Sequence, residues 1–286
     1  MQPLGIDDPR WLTTVPQLVS PHHDEWLPGL LLRCDVVNGW ASRTTMAHLR
    51  RLGKQRLRES WHSDIPNLIV WGASAGYLLQ VAQLLALSPQ QVRDTTYTDE
   101  LARLFHPPKL HATMLTLVFS FQLCPLCIAT SRLLRRVLVL PYLAVCLEHQ
   151  VVLRQTCQCG ALLRIFTKHT APFSCYQCGV DWGALPRQGA TVEQLVLAEQ
   201  LLAWYSFFLT VGTPVMVQRA LDLIAQQPVC QPGRLHEVTS LAEQVRRRSA
   251  YRRQWVPLPL GKLVAALVER ELLLDTSLRQ YLTTGA

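Results

Sequence analysis

The chain has 286 residues, 49% of them hydrophobic and 17% charged, with a formal charge of +8. That length allows two or three modules, the apolar share excludes a largely disordered protein, and the mild basic excess favours polyanionic partners without naming one. The first 30 residues hold no basic start followed by an apolar run, because Asp7, Asp8, Asp24 and Glu25 interrupt them, so a secreted protein is not expected.

In chain order, the pattern predicts amphipathic helices over Glu25–Val37 and Thr44–Arg58, separated by the turn-forming Asn38-Gly39 and with Ser42 as N-cap. Two short helices around a tight turn resemble a helix-turn-helix unit. A second helical pair follows, in which Tyr77, Leu78, Val81, Leu84 and Leu85 share a face and Ser88-Pro89 opens a helix through Val92. The run Val137–Val145 is β-prone, with a break or edge at Pro141. Short strands are expected at Val151–Arg154 and Ala161–Thr167, around the turn Cys157-Gln158-Cys159-Gly160. After Trp182 the pattern returns to helix over Val192–Leu209, Gln218–Ala225 and Leu241–Arg248, punctuated by Gly212 and Pro214. The expected fold is mainly α with small β zinc-binding modules. Its divisions are an N-terminal helical domain at 1–114, a tandem zinc module at 115–186 and a C-terminal helical domain at 187–286.

Two uncharged stretches, Ile65–Val92 and Gln200–Gln218, have to be weighed against the length of about 20 apolar residues needed to cross a bilayer. Pro66, Asn67, Gln80 and Gln83 in the first, and Ser206, Gly212 and Pro214 in the second, suit buried helices better. The expectation is therefore a cytoplasmic protein whose nine cysteines stay reduced and bind metal where they cluster.

The cysteines do cluster. Cys124-Pro125-Leu126-Cys127 is followed, after 18 intervening residues, by Cys146-Leu147-Glu148-His149; Cys157-Gln158-Cys159 is followed, after 15 intervening residues, by Cys175-Tyr176-Gln177-Cys178. Three thiolates with an imidazole, and four thiolates, are each a usual tetrahedral set for zinc. An iron–sulfur cluster suits less, because a redox-inert tetrahedral ion accepts His149 and two closed sets. Gly160 and Gly179 follow their knuckles and permit the positive φ that turns backbone amides toward the sulfurs. Spacing allows sequential or cross-braced pairing. With every position on a protein group, no vacancy remains for water or substrate, so the two zinc ions are expected to be structural and Glu148 to be solvated, not a general base. His169 is a spare ligand for the second set, while Cys34 and Cys230 lack partners at ligand spacing and read as core thiols.

No catalytic constellation accompanies the metals. Leu260-Gly261-Lys262 lacks the upstream glycine of a phosphate loop, acids are scarce and scattered, and no serine stands in an elbow motif. The protein is expected not to be an enzyme.

The stretch from Asp24-Glu25-Trp26-Leu27-Pro28-Gly29-Leu30-Leu31-Leu32-Arg33 to Asn38-Gly39, the leucine-rich Leu84–Val92 with its Ser88-Pro89 turn, and the ordered Cys-Pro-x-Cys, Cys-x-x-His, Cys-x-Cys-Gly and Cys-x-x-Cys-Gly of Cys124–Gly179 together resemble the TniQ/TnsD proteins, which choose target sites for transposons. Pro28 departs from the small polar residue more usual there. The chain length is similar to that of the short TniQ type, some of which link a CRISPR RNA-guided complex to a transposition ATPase. The resemblance implies a non-catalytic adaptor that recruits a AAA+ transposition regulator, TnsC-like, and through it the transposase. The target site is marked either by an RNA-guided Cascade-like complex on which the protein docks, as a homodimer if it follows the family's Cascade-bound members, or by its own sequence-specific DNA binding. A transcriptional regulator with a helix-turn-helix and zinc is a third reading.

Two basic clusters are candidate contact surfaces. Arg43, Arg50, Arg51, Lys54, Arg56 and Arg58 lie on and around the second predicted helix, where a recognition helix meets phosphates. Arg246, Arg247, Arg248, Arg252 and Arg253 interleave with Tyr251 and Trp255. Each cluster suits nucleic acid, an acidic protein surface or plain solvent exposure.

Overall fold

The computed structural model describes residues 15–42, 44–45, 47–49, 75–104, 122–140, 142–165, 170–226, 260–269 and 272–285. Among these residues the chain is mainly helical: α1 (Leu27–Val37), α2 (Ala75–Leu85), α3 (Pro89–Arg93), α4 (Thr98–Leu104), α5 (Pro125–Ser131), α6 (Val192–Val211), α7 (Pro214–Gln226), α8 (Leu260–Glu269) and α9 (Thr276–Thr284). A two-residue hairpin, β1 (Val145–Cys146) with β2 (Val151–Val152), and 3-10 turns at Arg136–Val139 and Trp182–Ala184 complete the described elements. By their internal contacts the residues group into two compact units. One draws on Met1–Asp99, Val118–Leu140 and Ala144–Ala190, the other on Glu100–Leu117, Pro141–Leu143 and Thr191–Ala286.

In the first unit, α1 begins at Leu27 with Trp26 as its N-cap, and Pro28 falls in the first turn, where the missing N–H would have had no helical partner. Leu27, Leu30, Leu31 and Cys34 are fully buried in one apolar cluster with Leu78, Val81, Leu84, Leu85 and Val92 from α2 and α3. Ser88 closes α3 with a reciprocal cap: its hydroxyl accepts from the Gln91 amide at 3.2 Å, and its amide donates to Gln91 Oε1 at 2.9 Å.

The turn after α1 forms where expected, with Gly39 at φ +65°. The side chain of Asn38 extends it like a strand edge, accepting from the Gln17 amide at 2.8 Å and donating to the Gln17 carbonyl at 3.0 Å. The expected capping role of Ser42 is not seen. Its amide donates to the Thr170 carbonyl and its hydroxyl to that of Ile165, while the buried Asp35 carboxylate reaches from α1 to accept both the amide and the hydroxyl of Thr45, at 2.8 and 2.7 Å. A carboxylate accepts such bonds more strongly than a hydroxyl, and the packing already holds Asp35 in place. Helical residues follow at 44–45 and 47–49. The rest of the predicted helix to Arg58 lies outside the described residues, as does the predicted helix Leu241–Arg248.

The β-prone run beginning at Val137 opens instead with the 3-10 turn Arg136–Val139, and among its described residues only Val145 enters a strand, β1. Its backbone finds other partners: the Arg136 amide donates to the Asp24 carbonyl, and the Leu138 carbonyl accepts from Gln122 Nε2. A chain satisfied in this way has no need of a neighbouring strand.

The second unit is helical. α6 is long and apolar enough to cross a membrane by length and composition, yet its Leu201, Trp204, Tyr205, Phe207 and Phe208 are buried within the unit. Trp204 stacks on Phe208 with ring centroids 5.8 Å apart and donates Nε1–H to the Leu272 carbonyl, which ties α6 to the segment after α8. Pro214, read from sequence as a break, opens α7, where proline is favoured. Arg219 of α7 holds the end of α9 by donating to the Leu282 carbonyl at 2.8 Å.

Candidate metal centres

Cys124 is the N-cap of α5 and Cys127 stands in its first turn, so one helical turn presents both sulfurs on the same side. Facing them is the β1–β2 hairpin, in register Val145↔Val152 and Cys146↔Val151, with Cys146 ending the first strand and His149 in the turn. Reciprocal backbone bonds between Leu123 and Arg154 clamp the entry of α5 to the strand leaving the hairpin. The four donors converge: His149 Nδ1 lies 3.6, 3.4 and 3.5 Å from the sulfurs of Cys124, Cys127 and Cys146, and the Cys127 and Cys146 sulfurs are 3.9 Å apart.

The second set is built from two turns closed by isolated bridges, Thr156↔Leu162 and Ser174↔Asp181. In each, the first cysteine carbonyl accepts from the knuckle glycine, Gly160 to Cys157 and Gly179 to Cys175, with both glycines at positive φ. The Gln177 amide points at Cys175 Sγ at 3.4 Å. Cys157 and Cys178 sulfurs are 3.5 Å apart and those of Cys159 and Cys175 3.7 Å.

A tetrahedral zinc site with metal–sulfur bonds near 2.3 Å and metal–nitrogen bonds near 2.05 Å has edges of about 3.8 Å between sulfurs and about 3.6 Å from sulfur to nitrogen. Both sets have edges of this size, and in each all four donor atoms lie within 4.8 Å of one another. A disulfide would need about 2.05 Å, and the cysteines are free. Each set could therefore hold one metal ion, and the sets follow chain order, the sequential of the two pairings that spacing allowed.

The electrostatics point the same way. Cys127 is pushed far above the usual thiol range by its hydrogen-bonded neighbours Cys124 and then Cys146, while Cys146 is pulled well below it by its own neighbours, Cys124 first and then Cys127. Thiols packed this closely share protons until a cation lets all of them ionise. In the second set, burial pushes Cys157 up to about 12; Cys175 is lowered to about 7, the cost of burial being outweighed by the Cys178 and Gln177 amides.

The sets differ in exposure. Cys124, Cys127 and Cys146 are buried with His149 half-buried, whereas Cys159 and Cys178 of the second set are exposed. Glu148, between two ligands of the first set, is exposed and ion-paired with Arg135, which also bonds Asp24 at 3.1 Å. Sequence reasoning missed Arg135, since nothing in a chain separation of 111 residues signals its contact with Asp24. With the Glu25↔Arg135 bridge and the Trp26 amide on the Leu134 carbonyl at 2.8 Å, it fastens the first metal set to the entry of α1. Gly29 makes the approach possible, because a Cβ there would stand 2.8 Å from Leu134 Cβ.

Cys34 is a core thiol, fully buried and pushed up to about 11, chiefly by that burial. Arg43, Arg50, Arg51, Lys54, Arg56 and Arg58, the C-terminal Arg246, Arg247, Arg248, Arg252 and Arg253, and the spare residues His169 and Cys230 lie outside the described residues.

A comparison with curated proteins finds no match. A model of the TniQ family matches residues 16–153, from before α1 through the last ligand of the first metal set. The motif residues noted in the sequence acquire physical roles inside that span: Glu25 and Arg33 form a buried ion pair at 2.8 Å, and Asn38 joins the end of α1 to Gln17. Residues 16–153 match the TniQ family model, so this part of the chain is a TniQ domain.

Proposed function

We propose that this protein is a non-catalytic targeting adaptor for DNA transposition, carrying two structural zinc ions, one in each tetrahedral set. The observation that supports this reading most is a TniQ domain whose own metal set is closed by four protein donors. A site with no open position does not activate water, and its contribution is to shape. In this reading the protein works in the cytoplasm, joining an RNA-guided Cascade-like complex to a TnsC-like AAA+ regulator and the transposase, and it docks on its partners as a homodimer. The two basic clusters, around Arg50 and around Arg247, are its contact surfaces for phosphate or acidic protein.

Duplex binding by the isolated protein tests the proposal. An adaptor binds weakly and without sequence preference at physiological salt. A specific DNA reader discriminates its site by about 10³-fold or more. Tight, sequence-selective binding by the protein alone overturns the adaptor reading. Charge reversal at Arg50, Arg51 and Lys54 together should abolish targeted insertion in a reconstituted system; unchanged targeting would remove that cluster from the contact surface.

A further inference from the structure

Resting on the two-metal reading, we propose that the second set is a thiol-modification site, at which peroxide oxidises the exposed sulfurs of Cys159 or Cys178 and expels the metal while the first set stays loaded. The two sets have matched donor geometry but unequal protection. In the first, three sulfurs are buried against α5 and the β1–β2 hairpin, and Arg135 fastens the loop beside them to the entry of α1. An oxidant reaches those sulfurs only if the unit opens. In the second, Cys159 and Cys178 are exposed, and each has a buried neighbour in reach: Cys157 lies 3.5 Å from Cys178, and Cys175 lies 3.7 Å from Cys159. An accessible thiolate beside a second sulfur is the arrangement of a redox-sensitive pair, the buried member serving to resolve the oxidised one.

The chemistry balances with hydrogen peroxide as the two-electron oxidant. The Cys178 thiolate attacks one peroxide oxygen, the O–O bond breaks, hydroxide leaves and a sulfenic acid remains on Cys178. The Cys157 thiolate then attacks that sulfur, the S–S bond forms and a second hydroxide leaves. Two thiolates are oxidised to one disulfide, and one peroxide is reduced to two hydroxides. Cys159 with Cys175 follows the same course. The closing S–S distance is short, so the turns need little rearrangement. A metal that loses two of its four ligands no longer has a closed tetrahedron and departs. Cys159 and Cys178 lie in the two turns closed by the Thr156↔Leu162 and Ser174↔Asp181 bridges, so the disulfide form perturbs those turns and leaves the α1–α3 core intact.

The test uses the zinc-loaded full chain, whose zinc content is measured first. Peroxide is then added in steps, released zinc is read with a chromogenic chelator, and the cysteines are mapped by differential alkylation and peptide mass spectrometry. One zinc per chain should leave at least about tenfold faster than the other, with Cys157–Cys178 and Cys159–Cys175 linkages appearing while Cys124, Cys127 and Cys146 remain reducible thiols. Release of both ions at one rate, or earlier oxidation of the first set, overturns the proposal while leaving the two-metal reading standing. A folded chain that carries no zinc overturns both. Cys159→Ser with Cys178→Ser removes two ligands of the second set and should lower the zinc content to about one per chain, while the cysteine mapping on the unaltered chain carries the test.

Discussion

Replacing Arg33 by Met tests whether the TniQ motif residues Glu25 and Arg33 act as a single buried ion pair. Arg33 Nε and Nη2 donate to the two Glu25 oxygens at 2.8 and 2.9 Å, the Glu25 side chain is 0% exposed and that of Arg33 14%. At 2.8 Å and an effective dielectric of about 20, the gross attraction is about 6 kcal/mol. Burial offsets much of it: the Glu25 carboxyl is raised above its ordinary value, burial being the largest cause, with Arg33 and the His22 amide acting against it. Arg33→Met leaves the carboxylate buried without its cation, and such truncations cost about 3–5 kcal/mol. The cost should depend on pH in a defined direction. With its cation gone, Glu25 titrates still higher in the folded state than in the unfolded one. Its contribution is then favourable below the unfolded value of 4.5 and is lost as pH rises through the raised folded value. The deficit relative to the unaltered chain should therefore be largest at neutral pH and shrink on acidification. Urea unfolding with zinc in excess, followed by circular dichroism, measures this, and Glu25→Gln with Arg33→Met completes a cycle with an expected coupling of about 0.5–3 kcal/mol. A loss below about 1 kcal/mol, or a loss unchanged by pH, refutes the buried-pair account.

Metal removal should be more drastic. A structural zinc supplies about 10–16 kcal/mol of apparent folding free energy, so a strong chelator should unfold the cysteine-bearing segments, read as new proteolytic cleavage between residues 122 and 190. Acid should do the same, because protons compete for thiolates and imidazole, and zinc loss should rise as pH falls. Gly183→Ala should cost about 1–3 kcal/mol by overpacking, since a Cβ there meets the Ala129 backbone at 2.9 Å where the Trp182–Ala184 turn packs on α5; a stability equal to the unaltered chain would show that the turn moves freely. Cys34, buried and pushed up to about 11, should resist alkylation at neutral pH in the native chain and react only after denaturation, by mass spectrometry.

Features that rest on local spacing are written in the amino-acid order. Cys-x-x-Cys, Cys-x-x-His and Cys-x-Cys followed by glycine encode a turn and its donor atoms together, so the ligand groups are legible in the sequence, as are the turn at Asn38-Gly39 and the cap at Ser88. Hydrophobic periodicity likewise places α1, α2 and α6 to within a few residues. Features that depend on residues far apart in the chain were settled by tertiary packing. Sequential pairing followed once the Leu123–Arg154 bonds set α5 against the β1–β2 hairpin. The β-prone run at Val137 became a 3-10 turn because Asp24 and Gln122 supplied its hydrogen bonds, and Asp35 took the place of Ser42 because α1 carries it there. Only the fold separates a buried metal set from one with two exposed sulfurs, since solvent access belongs to the packed surface and spacing does not encode it.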